Sequence, residues 1–160
     1  MKSKLLVLAS VALLASCYEA PDYGINEELS HKLVGEWRNV SLKIDMKSYQ
    51  NTGVSKTFEV SERDWEDKMK IRPIKTLFKI NGTYNSEHRN LKDSLIFNPA
   101  GNWMIVGDTL RMIDTFPQRG PIYRYKLTIK GNTAEFRGVE DCDNDGKDDD
   151  IYYGKQIKAD

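Results

Sequence analysis

Histidine and cysteine are scarce, two of each in 160 residues. His31 and His88 belong to no helix-borne metal pair and stand beside no nucleophile motif. GxSxG, HExxH, phosphate-loop and dinucleotide fingerprints are all missing. Hydrolytic, zinc and nucleotide chemistry therefore have no support, and the chain is read as a non-enzyme without catalytic residues. Charge of one sign is not in excess either, with 24 Lys and Arg against 24 Asp and Glu. That balance gives no electrostatic reason to expect nucleic acid. Nor does any apolar run reach the roughly 20 residues that a membrane-crossing helix needs.

What is present begins at the N-terminus. Lys2 and Lys4 precede an apolar run from Leu5 to Ala15, the charged and hydrophobic regions of a secretory signal. The run ends in Leu14-Ala15-Ser16-Cys17. These four residues resemble the bacterial lipobox at every position: an aliphatic residue, two small residues, then the cysteine that becomes the lipidated N-terminus. The competing reading is an ordinary signal peptide with a chance cysteine near its end. The resemblance implies that residues 1–16 are a lipoprotein signal peptide and that Cys17 carries acyl chains. Two or more such chains, at about 0.8 kcal/mol per buried methylene, make a stable anchor. Position 18 is tyrosine and not aspartate, which by the same resemblance points to the outer membrane. Cys142 would then be the one remaining thiol, leaving no internal disulfide.

Residues 17–32 are polar, contain Pro21 and Gly24, and are expected to form a flexible tether; His31 would lie in it. Residues 33–160 are long enough for one domain with its own core. Val40, Leu42, Ile44 and Met46 alternate with polar neighbours, the period of a sheet with one wet face. Asn81-Gly82 marks a tight hairpin. Strands are further expected near Asp93–Phe97, with His88 exposed at a strand end, and at Asn102–Val106, Thr109–Ile113, Tyr123–Ile129, Thr133–Val139 and Ile151–Ile157. About eight short strands joined by sequential turns predict an all-β, antiparallel up-and-down barrel. One short helix is expected from Ser61-Glu62-Arg63-Asp64, which reads as a capping box, with Pro73 as a stop. Trp65 and Met69 would share a face of it, either packed on the barrel or forming a lid. Leu42, Ile44, Phe78, Ile80, Met112 and Tyr125 are among the side chains expected to point inward. They suit either a greasy pocket or a filled core.

The domain resembles the small lipocalin-like lipoproteins of Bacteroidota in Leu33-Val34-Gly35-Glu36-Trp37, in Phe78-Lys79-Ile80-Asn81-Gly82-Thr83-Tyr84, and in Gly101-Asn102-Trp103 followed by Gly107-Asp108-Thr109-Leu110. The resemblance implies that Gly35 and Trp37 are a structural GxW signature, with the tryptophan plugging a closed end. A later TDY-like stretch is absent. Asp93-Ser94-Leu95 and Asp108-Thr109-Leu110 look like O-glycosylation acceptors of proteins of that kind, at Ser94 and Thr109.

The acidic loop 140–150 is the most chemically pointed segment. Asp141, Asp143 and Asp145 hold the first, third and fifth places of a DxDxDG pattern, Gly146 the sixth, Lys147 the seventh through its carbonyl, and Asp149 the ninth. Calcium wants six to eight oxygens, and such a loop lets alternate carboxylates converge. The pattern resembles calcium loops of EF-hand and dockerin-like proteins but departs at the twelfth place, which is Tyr152. A further ligand would have to come from Asp148, Asp150, water or a distant residue. The alternative is a solvated hairpin turn. The mutual repulsion of so many acids favours calcium, bound weakly and in a structural role. The expected function is thus a lipid-anchored envelope binding module for a small apolar ligand, or else an interaction subunit with a filled barrel and an envelope protein partner.

Overall fold

The computed structural model describes residues 24–120 and 122–159; the signal-peptide segment and Cys17 lie outside them. The strands are β1 (Gly35–Met46), β2 (Lys56–Ser61), β3 (Lys75–Phe78), β4 (Thr83–Arg89), β5 (Leu95–Phe97), β6 (Ala100–Val106), β7 (Thr109–Phe116), β8 (Ile122–Lys130), β9 (Thr133–Glu140) and β10 (Asp150–Lys158). All the named strand pairs are antiparallel. Eight of the strands follow one another around a closed barrel, β1-β3-β4-β6-β7-β8-β9-β10, and β10 returns to β1 along Trp37–Lys158 through Asp45–Ile151. The predicted all-β up-and-down barrel is therefore present. Its physical origin is plain in β9, where Ala134, Phe136 and Gly138 are buried while Glu135, Arg137 and Val139 between them face solvent. The Asn81-Gly82 hairpin joins β3 to β4, with the Gly82 N–H donating to the Lys79 carbonyl.

β2 was not among the expected strands, although Phe58 and Val60 alternate with Thr57 and Glu59. It pairs with the second half of β1, whereas β3 pairs with the first half. β2 and β3 thus share one edge of β1, and a second helix, α2 (Trp65–Met69), bridges the seam between them. The cap expected at Ser61 does not form: the helix starts after Asp64, whose side chain makes no cap bond, and the Asp64 carboxylate instead braces the turn after β2, accepting from the Ser61 N–H at 2.6 Å and from its hydroxyl at 2.8 Å. Trp65 is buried and Met69 half-buried, so the helix fills the wall of the barrel and is no lid over its mouth.

The stretch just before the barrel differs from the flexible tether expected over residues 17–32. From Gly24 onward the chain is folded. Ile25 bridges to Val106, the Asn26 N–H donates to the Ile105 carbonyl at 3.0 Å, and α1 (Glu27–Leu33) follows. Asn26 caps this helix by accepting from the Leu29 N–H at 2.9 Å. Glu27 and Glu28 in its first turn and His31 and Lys32 in its last both suit the helix dipole. Leu29 and Leu33, four residues apart, present one apolar face to the core.

α1 closes one end of the barrel. Beneath it Leu33, Trp37, Ile105, Leu110 and Ala134 are fully buried. The Trp37 indole N–H donates to the Leu33 carbonyl at 2.7 Å, and the Lys158 ammonium lies 5.3 Å above its ring. Gly35 has φ +128°, a backbone conformation that calls for glycine, whereas the nearest atom a Cβ would meet is the mobile far end of the Lys158 side chain. Among the described residues no helix is long and apolar enough to cross a membrane.

Candidate functional site

Above the Trp37 plug the barrel is not filled. A cavity of about 280 Å³ runs toward the opposite end and reaches the surface at Phe97, which is half exposed. Strand alternation decides what lines it. β4 sends Tyr84, Ser86 and His88 inward, β7 sends Met112 and Asp114, and β8 sends Tyr125 and Tyr123. A bulge between Asn39 and Ser41 in β1 keeps Asn39, opposite Gln156, on the same inner face as Leu42, opposite Gly154.

The wall is far more polar than the greasy lining expected. Thr76 and Ser86 hydroxyls bond to one another at 2.8 Å, and Gln156 donates to the Asn39 carboxamide oxygen at 3.1 Å. The Gln156 side-chain oxygen is buried with no partner. The Tyr84 hydroxyl donates to Asp114, and burial first, then that carboxylate, raises the phenol above its ordinary pKa. His88, expected as an exposed strand-end residue, does end β4 but is half-buried, with its ring edge-on to Phe97 at 5.3 Å. Burial lowers its pKa, against the opposing pull of Asp114. Ile80, expected inside, sits in the β3–β4 turn and is 67% exposed.

Aromatic rings complete the lining. Tyr123 and Tyr125 are parallel at 6.4 Å, and Tyr125 meets Tyr152 at 5.2 Å. A Cβ on Gly138 would lie 2.9 Å from the Tyr125 ring, so this glycine is what lets the tyrosine lie flat on the wall and leave space beyond it. The signal for the polar lining was in the sequence. Asp114 shares strand parity with Leu110 and Met112, and His88 with Tyr84.

The acidic loop lies at the open end, between β9 and β10. Oxygens of Asp141, Asp143 and Asp150 come within 4.8 Å of one another. Asp141 accepts from the N–H groups of Asp145 and Gly146, both at 2.9 Å, and Asp150 accepts from those of Cys142 at 2.9 Å and Asp143 at 3.2 Å. Of the carboxylates expected as ligands, Asp141 and Asp143 belong to this cluster, whereas Asp145 and Asp149 do not. Asp145 accepts from the Lys147 N–H at 2.9 Å, its other oxygen being buried without a partner. The Lys147 carbonyl accepts from the Asp149 N–H at 3.0 Å. The reason is that the chain already enters β10 at Asp150, so it leaves as a strand before the later places can wrap round a common centre. Asp150 joins the cluster instead, and burial raises its pKa.

Two side contacts fix the loop. The Gln50 N–H donates to Asp143 at 2.5 Å and the Asn51 amide donates to the Asp145 carbonyl at 3.1 Å, tying the β1–β2 connection to it. The Cys142 thiol is pushed up to about 12 by burial and by Glu140 and Asp150. Ser94 is exposed and Thr109 half-buried. A scan against protein-family models and a search of curated proteins each find no match to this chain.

Proposed function

We propose that this chain is a lipid-anchored, lipocalin-like protein of the bacterial envelope whose barrel binds one small ligand in its interior. The observation that carries this reading is the cavity inside the barrel, lined by side chains of β1, β3, β4, β7, β8, β9 and β10. An interaction subunit needs no interior space, so the cavity favours binding over the filled-barrel alternative. The mixed wall argues for a ligand with an apolar body and at least one polar group, in place of the purely apolar one first expected. Phenol is a suitable probe. Titrated into the full-length chain in detergent micelles, it should shift the NMR signals of the Met112 methyl and of Tyr125, and Met112→Trp, which fills the space, should abolish those shifts. If phenol perturbs surface residues alone, the binding reading is lost.

The anchor is proposed at Cys17, on the lipobox resemblance. Labelled acyl chain should enter the wild type and not Cys17→Ser. The acidic loop is proposed to hold calcium through Asp141, Asp143 and Asp150, a hard oxygen set that suits a hard cation, with water completing the shell. Calcium should raise the melting temperature of the chelator-treated protein, and Asp143→Asn should remove that rise. An unchanged melting temperature at millimolar calcium rejects the site.

A further inference from the structure

We infer that the cavity is a receptor for a small organic cation, an ammonium group on a compact aromatic or apolar body, with Asp114 as its counter-ion. This deepens the binding reading above and rests on it. Among the described residues Asp114 is the one carboxylate in the cavity wall, and neither lysine nor arginine lines it. Its named partner is neutral, the Tyr84 hydroxyl. The basic group nearest to it in the wall is His88, whose burial disfavours the charged form. Among the described residues the cavity wall therefore carries a carboxylate with no lysine or arginine beside it in the wall.

Two further features select among ligands. The parallel rings of Tyr123 and Tyr125, with Tyr152 tilted against the second, flank the space, and aromatic faces attract a cation. An apolar ligand would dry Asp114 without replacing its water, and an anion would meet it directly. The volume of about 280 Å³ is enough for a compact amine.

Three near-isosteric probes test this on the full-length chain in detergent by calorimetry: 2-phenylethylamine, 2-phenylethanol and phenylacetate. The amine should bind at least tenfold more tightly than the alcohol, and phenylacetate should not bind. Asp114→Asn keeps an oxygen for Tyr84 while removing the charge, and it should bring the amine down to the level of the alcohol. Asp108→Asn, which removes an exposed acid at the closed end, should leave all three affinities unchanged. Should Asp114→Asn fail to fold, Tyr123→Leu supplies the second reading, a several-fold loss for the amine with the alcohol little affected. Alcohol or phenylacetate binding as tightly as the amine overturns the cation assignment while leaving the binding reading intact. So does amine affinity untouched by Asp114→Asn. If none of the three probes binds and phenol also fails, the cavity reading itself falls and takes this inference with it.

Discussion

Where β1 begins, Trp37 is sealed under α1 with Leu33, Ile105 and Leu110, and every one of these is fully buried. Farther along the same barrel strands the inner positions pass to Asn39, Ser86, His88, Asp114 and Tyr123, around space instead of carbon. The alternation that turns side chains inward is the same at both ends. What changes is the cost of leaving polar groups dry. The closed end is packed with apolar side chains, while the open end keeps polar groups that line the cavity. One end supplies cohesion and the other supplies chemistry, so substitutions at the two ends should fail in different ways.

Trp37→Ala should give the largest effect, a loss of about 3–5 kcal/mol in denaturant unfolding, because it combines lost burial with a cavity under a helix. A loss below 1 kcal/mol would mean that the closed end is not the stabilising end. Asn26→Ala removes the cap of α1 and should cost about 1 kcal/mol, with faster hydrogen exchange across residues 27–33 before the barrel itself opens.

The smallest effect belongs to the open end and is a slope. His88 has its folded pKa below the unfolded value near 6.5, so the folded state binds fewer protons than the unfolded state. The stability it contributes is present above that value and is lost as pH falls through the folded pKa. Between pH 7 and pH 5 the melting temperature of the wild type should therefore fall more steeply than that of His88→Gln. Parallel slopes would show that the mouth is as well hydrated as the outer surface.

The barrel was legible because one wet face and one dry face write a period of two into most strands. β2 carries the same period in Phe58 and Val60 but is bounded on one side by a helix, and it pairs only with part of β1, so no hairpin signal announced it. α1 was hidden by composition: Glu27, Glu28, His31 and Lys32 look like tether, and only Leu29 and Leu33 mark its face. Ile80 misleads because hydrophobicity does not report that a residue lies in a turn. In the acidic loop the spacing of carboxylates was readable, but which of them converge depends on where β10 starts, and that is fixed by its pairing with β1 and β9, remote in sequence. The bulge at Asn39 is of the same kind, since it exists only in relation to Gln156 and Lys155 across the barrel seam.

The pairing of Ile25 with Val106 also sets a direction. The chain joins the fold at Gly24 beside the plugged end. On the proposed lipidation of Cys17, the end tied to the bilayer is the plugged one, and the mouth with its tyrosines and acidic loop is at the other end of the barrel, so a ligand would enter at the end away from the anchor.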